Sequence, residues 1–249
     1  VTRSSLPLLT APDQNRETHL PINEVFWDVV QGEGPYMGRA CGFIRLGWCN
    51  LHCPPCDTAQ TWDTSRYDLA ITCPDTAVAA AVDRLPARVR MVVISGGEPL
   101  LWQRTPAFIS MLELLEQRGI EVHVETNGTI APLPSADPYV RHYSVSPKLT
   151  AMGGGDPLKR RIKPDVIAAF AELATTGRAV FKFVVADQAQ LAEAAGFAAE
   201  HSLEPSWVWV MPEASDTATL LERQPVIASA AAQYSYNVST RLHMIAQCR

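Results

Sequence analysis

Cys49, Cys53 and Cys56 lie in the segment GWCNLHCPPCDT with the spacing C-x3-C-x2-C. Gly47, Asn50 and the pair Pro54-Pro55 describe a loop there, not a packed helix or strand. A loop this tight can wrap one metal centre, and thiolates are the ligands of iron–sulfur clusters. Three thiolates on a four-iron cluster leave one iron open to another molecule. An enzyme needs that position; a pure electron carrier does not. On spacing alone, structural zinc stays open as an alternative, with His52, Cys73 or a distant residue as fourth ligand. The remaining cysteines, Cys41, Cys73 and Cys248, do not complete the framework of a small disulfide-bonded domain.

Other chemistry-bearing residues come in short polar or glycine-bearing motifs. Ser95-Gly96-Gly97-Glu98-Pro99 follows the apolar run MVVI, Glu125-Thr126-Asn127-Gly128 ends EVHV, Ser146-Pro147-Lys148 follows YSV, and Met211-Pro212-Glu213 follows WVWV. Upstream of the cysteines lie Gln31-Gly32-Glu33-Gly34-Pro35 and Arg45, and Arg241-Leu242-His243 lies near the end. Taken alone, GGEP is only a tight turn.

The elements that must position these motifs alternate. Expected strands are 24–30, 41–46, 91–95, 121–125, 143–146, 179–185 and 207–211, with a last one near 237–243. Helices are expected around 75–85, 105–118, 164–175 and 188–200, and over 217–233 with a break at Pro225. Continuous apolar strands such as MVVI and VFKFVV belong to a parallel sheet covered on both faces. Strand–helix alternation with right-handed crossovers gathers the strand C-termini, and hence the four motifs, at one mouth. Lys182, inside VFKFVV, is costly to bury unless paired, and it could face that mouth.

The chain has 249 residues, 47% of them hydrophobic, and a net charge of −5. That suits a single α/β domain over 21–249, preceded by a loosely ordered extension over 1–20. Nucleic acid is a disfavoured partner for so acidic a chain, and the run Lys159-Arg160-Arg161 with Lys163 reads as a solvated loop edge or an anion contact. No apolar run has the length of a membrane span, and residues 1–20 lack a signal-peptide core, so the cytoplasm is the expected compartment.

The three-cysteine spacing together with GGEP resembles the radical S-adenosylmethionine (SAM) superfamily. The QGEG block, the Cys56-Asp57-Thr58 closure of the loop, ETNG, SPK and RLH resemble, within it, the 7-carboxy-7-deazaguanine synthase family. The similarity spans about residues 22–245. One departure is Pro55, where the superfamily places an aromatic or aliphatic residue; two consecutive prolines remove amide donors near the cluster.

The resemblance implies a partial, incomplete parallel β/α barrel. It further implies conversion of 6-carboxy-5,6,7,8-tetrahydropterin to 7-carboxy-7-deazaguanine with loss of ammonia, started by a 5′-deoxyadenosyl radical that takes hydrogen from C6. The implied cofactors are a 4Fe-4S cluster on Cys49, Cys53 and Cys56, SAM and Mg²⁺. SAM would be held by Ser95, Gly96, Gly97, Glu98, Thr126, Asn127, Ser146, Lys148 and Met211. The pterin would be read by Gln31, Glu33, Gly34, Arg45 and His243, with Arg45 forking onto its carboxylate. Thr58 would bind Mg²⁺, or else cap the next turn. Glu33 and Arg45 could instead pair with each other, and His243 could be an ordinary residue at a strand edge. A homodimer reduced by an electron donor such as flavodoxin or ferredoxin is also implied. Two rival readings are an activase that installs a glycyl radical on a partner protein, and a non-catalytic zinc-binding module.

Overall fold

The computed structural model describes residues 14–153 and 155–247. The strands among them are β1 (His19–Val30), β2 (Ala40–Leu46), β3 (Asp75–Ala77), β4 (Met91–Gly96), β5 (Glu121–Thr126), β6 (Val140–Val145), β7 (Ala179–Val185), β8 (Val208–Pro212) and β9 (Asn237–Val238). They form one sheet in the order β3-β1-β2-β4-β5-β6-β7-β8-β9. β1 is antiparallel to both its neighbours, and every pairing from β2 to β9 is parallel. Among the described residues no strand joins β3 to β9, so the curved sheet is a partial barrel, as expected.

The helices are α1 (Leu69–Thr72), α2 (Val78–Asp83), α3 (Pro106–Gln117), α4 (Thr150–Gly153), α5 (Leu158–Arg161), α6 (Pro164–Thr175), α7 (Gln188–Glu200), α8 (Thr217–Gln233) and α9 (Leu242–Ile245). The start signals of the long ones are ordinary: Thr105, Asp187 and Asp216 accept from backbone amides at the first turns of α3, α7 and α8. Helix faces carrying Phe108, Met111 and Leu115 (α3) and Ile167 and Phe170 (α6) pack on the outward side chains of the strands, among them Val92, Ile94, Val122 and Val124. Inside the barrel a smaller apolar group, Phe26, Val29, Cys41, Met91 and Val93, fills the side made by β1, β2 and β4.

Four expectations need correction. β1 begins at His19, where His19, Leu20 and Pro21 pair with Ala77, Thr76 and Asp75, so the front of the expected helix over 75–85 is strand β3. Residues 1–13 of the expected extension lie outside the described residues, but Leu20 is fully buried in the core. α8 runs unbroken through Pro225. Pro225 lies on the exposed side, between exposed Leu221 and Val226, where water can satisfy the carbonyl left without an amide. The last strand stops at Val238, and His243 belongs to α9.

Candidate active site

β2 hands the chain to the cysteine loop through Gly47 and Trp48. Trp48 has φ of 70°, unusual for a bulky residue. Its amide donates to the Thr61 carbonyl (2.6 Å), and its own carbonyl accepts from Glu98 N (2.8 Å). The end of β4 is therefore stitched to the cysteine loop. A Cβ on Gly97 would stand 1.9 Å from the Trp48 carbonyl oxygen, and one on Gly96 2.0 Å from that of Leu46. These glycines were expected to admit a cofactor; they also let two backbone segments touch.

Glu98 departs from its expected task. Its carboxylate is buried and accepts from Leu100 N (3.0 Å), Thr126 Oγ1 (2.9 Å) and Asn127 N (2.7 Å), so it braces ETNG and does not line the cavity. Burial raises its pKa to about 7, against the pull of those donors. Asn127 is likewise engaged: its amide donates to Asn50 Oδ1 (2.9 Å), and its oxygen accepts from Thr129 N (3.0 Å) and Oγ1 (2.6 Å). The ETNG turn thus ties GGEP to the cysteine loop.

A cavity of about 750 Å³ opens at the C-terminal ends of the strands. It gathers Cys49, Cys53, Cys56, Thr58, Ser95, Gly96, Gly97, Thr126, Asn127, Ser146, Lys148, Met211, Gln31, Glu33, Arg45 and His243. Gly34 stays behind its wall, where its amide donates to Ser239 Oγ (2.7 Å). Strand register explains much of this convergence: Arg45 sits beside Ser95, Glu125 beside Ser144 and Val184 beside Met211. Ser95 Oγ donates to Glu125 Oε2 (2.7 Å) and Gln31 Nε2 to Glu125 Oε1 (3.2 Å), which joins the rows. Lys148 donates to Ser146 Oγ (2.8 Å).

Glu33 and Arg45 do not form the mutual ion pair that was one of their readings. Arg45 gives its Nε to Glu24 (2.8 Å), not to Glu33. Glu33 is ion-paired with Lys182 from β7 and lies 3.6 Å from Arg241 Nε. Arg241 also reaches Asp57 (3.2 Å) and the Ala214 carbonyl (3.0 Å). Burial alone would raise the Glu33 carboxyl, but Lys182, Arg241 and His243 together hold it below the usual range. Burial works against the Lys182 ammonium, and Glu33 and Glu125 outweigh it, so the lysine stays charged. His243 Nδ1 would lie 2.0 Å from a Cβ on Gly32, so that glycine makes room for the imidazole.

From the sequence Lys182 was only a residue that could face the mouth, and Glu125, Arg241 and Ser144 were given no role; all four line the cavity. The signal was strand parity: alternate residues share a face, so Lys182 goes with Val184 and Ser144 with Ser146. Thr58 sits at the start of a 3-10 turn without a side-chain cap bond; its hydroxyl lies 3.5 Å from Cys56 Sγ.

The donor set suits a cubane cluster. Cys49 and Cys53 are buried and Cys56 is half-buried on the cavity wall, with Leu51 N 3.4 Å and Asn127 Nδ2 3.8 Å from Cys49 Sγ as N–H···S donors. Burial raises the Cys49 and Cys53 thiols in the free protein. A structural zinc ion would need four ligands about one point. Among the described residues no group of three or more His, Cys, Asp or Glu, the three cysteines included, converges on one point to hold a single ion. Likewise, none of the helices described is long and apolar enough to cross a membrane.

Residues 43–148 match the model of the radical SAM superfamily. The 7-carboxy-7-deazaguanine synthase of Hyperthermus butylicus is 38% identical over 238 residues, covering 92% of this chain and 94% of that protein. The synthase of Pyrobaculum aerophilum is 33% identical over 224 residues, covering 87% and 90%. The crystal structure of QueE from Escherichia coli shares the fold, with a TM-score of 0.61 at 24% identity over 92% of this chain and 99% of that one. The chain belongs to the 7-carboxy-7-deazaguanine synthase family of radical SAM enzymes.

Proposed function

We propose that this enzyme converts 6-carboxy-5,6,7,8-tetrahydropterin to 7-carboxy-7-deazaguanine and ammonia. The observation that carries the reading is one cavity lined both by three cysteine thiols and by the Gln31, Glu33 and Arg45 set. A 4Fe-4S cluster and SAM supply, when bound, the radical that takes a hydrogen atom from C6. Cys49, Cys53 and Cys56 hold the cluster. The GGEP backbone, Asn127, Ser146, Lys148 and Met211 hold SAM.

The protein's own part is recognition and charge. Glu33 stays ionised, so it accepts from the ring N–H and amino groups of the pterin. Arg45, anchored through Nε by Glu24, presents its guanidinium to the carboxylate. Lys182 and Arg241 hold Glu33 ionised while Glu125 and Asp57 balance their remaining charge, which leaves the substrate carboxylate to Arg45. Thr58 contributes an oxygen to Mg²⁺, whose other ligands are substrate oxygens and water, the usual pattern for a hard ion with few protein ligands. The proposal includes a homodimer, read by sedimentation as twice the chain mass.

The test is an anaerobic assay of reconstituted protein with the pterin, SAM, Mg²⁺ and dithionite, products read by mass. A 7-carboxy-7-deazaguanine peak that disappears in Cys53→Ala is the expected result. Formation of 5′-deoxyadenosine without that peak overturns the substrate.

A further inference from the structure

Next to the cysteine loop lies a basic cluster that the chemistry of the cavity does not use. Lys159, Arg160 and Lys163 are exposed around Leu158, itself 60% exposed. Arg161 in the same run is different. It is buried, its Nε donates to the Asp156 carbonyl (3.0 Å), and its Nη1 donates to the Lys148 carbonyl. Arg161 fixes the segment, Lys159 and Lys163 face outward, and Arg160, though exposed, pairs with Asp156, with an apolar side chain among them.

This patch is attached to the cysteine loop. Buried Asp156 accepts from His52 N (2.5 Å), faces His52 Nδ1 at 3.2 Å and pairs with Arg160 at 3.2 Å. Gly155 lies so close to the loop that a Cβ there would meet the His52 carbonyl oxygen at 2.0 Å. His52 precedes Cys53, so a single carboxylate separates Arg160 from the segment carrying the thiols. Pro54 and Pro55 keep that part of the loop exposed.

We propose that Lys159, Arg160 and Lys163 around Leu158 dock a small acidic protein that carries a low-potential one-electron centre. This rests on the reading of the three thiols as a cluster site, not on the identity of the substrate. Electron transfer weakens steeply with distance, so the donor must settle near the cysteine loop. A basic patch on a protein of net charge −5 steers an acidic partner to that place and orients it. Leu158 provides the apolar contact at the centre of the polar rim. In each encounter the carrier's centre is oxidised by one electron, and the cluster is reduced by one.

The test uses reconstituted holoenzyme, with iron content checked, and a flavodoxin of net negative charge as the probe. Binding is followed by fluorescence anisotropy at low and high salt for the wild type, Lys159→Glu/Lys163→Glu, and Arg90→Glu, an exposed charge next to the start of β4 and so at the opposite end of the barrel. The double variant should bind about tenfold more weakly with a shallower salt dependence, while Arg90→Glu stays near wild type. Oxidation of reduced flavodoxin, read from its absorbance, should slow in parallel, with dithionite-driven turnover retained. Equal binding by the wild type and the double variant overturns the proposal, as does equal weakening by Arg90→Glu. So does binding of the patch to phosphatidylglycerol vesicles or to an RNA hairpin in place of flavodoxin. Loss of pterin turnover with docking and cluster intact counts instead against the substrate assigned above.

Discussion

The mouth and the floor of this barrel are built on the same strands and treat polar side chains in opposite ways. β5 places Glu125 in the cavity and His123, two residues earlier, below it; β6 places Ser144 above and His142 below. At the mouth charged groups pair across the cavity wall, Glu33 with Lys182 and Arg241, and Arg45 with Glu24. At the floor Tyr36 sets its ring edge-on to His123 (4.3 Å) and His142 (4.8 Å), and Glu121, 2.6 Å from His123 Nε2, pairs with Arg39 at the surface. Burial lowers the pKa of both imidazoles, that of His142 to about 4, so the floor is neutral near pH 7. Charge is kept where a ligand can use it and suppressed where the barrel is only filled. Buried ion pairs are weak evidence of stability, so the pairs at the mouth point to function.

The largest break in this contrast comes from Glu33→Gln. Lys182 would then be buried without its ion-pair partner, while Arg241 keeps Asp57, a loss of about 3–5 kcal/mol when one partner of a buried pair is removed. The expected outcome is a fall in kcat/KM of at least about 100-fold, with a lower unfolding midpoint in urea. Glu33→Gln/Lys182→Met separates the two effects. It should recover most of the midpoint and none of the activity. Recovery of both would make the pair a structural feature and remove Glu33 from the substrate site.

Arg45→Lys is a smaller disturbance at the same mouth. A lysine can still meet Glu24, but it has no fork to spare for a carboxylate. An increase in KM of about tenfold with a modest change in kcat is expected, read from initial rates over a pterin series. An unchanged KM would take Arg45 out of carboxylate recognition and leave Arg241 as the cation to test next.

Much of the mouth could be read in the sequence because its signals are local. The cysteine spacing, the turn residues of GGEP and the apolar runs before each motif need only neighbours along the chain, and β7, α6 and α7 end where periodicity places them. What could not be read depends on distant contacts. Lys182 meets Glu33 across 149 positions, and no local pattern names that partner. Glu98 turns toward ETNG because Thr126 Oγ1 and Asn127 N are there to receive it, a fact of packing between β4 and β5. β3 exists because His19–Pro21 runs beside it, and Asp75–Ala77 alone carries no strand signal. Pro225 signals a break by its covalent chemistry, yet solvent on that side of α8 removes the reason for one.

The floor gives the smallest and most selective effect. His142 has a folded pKa of about 4 against an ordinary value of 6.5, so between those values the unfolded chain binds the proton that the folded one refuses. Stability is then unaffected above about pH 6.5 and falls as pH drops toward 4, by up to about 1.4 kcal/mol per pH unit from this group. Neither of its ring nitrogens has a well-formed hydrogen-bond partner among the described residues, so the imidazole holds a buried polar edge that a phenyl ring would not. His142→Phe should therefore match or exceed the wild type in urea midpoint at pH 7, and its midpoint should decline less between pH 6.5 and 5. Turnover at pH 7 should stay within about twofold, because Tyr36 and His123 still close the floor. A large loss of turnover with the fold intact would mean that the floor takes part in the chemistry, and the division between a charged mouth and a neutral base would fail.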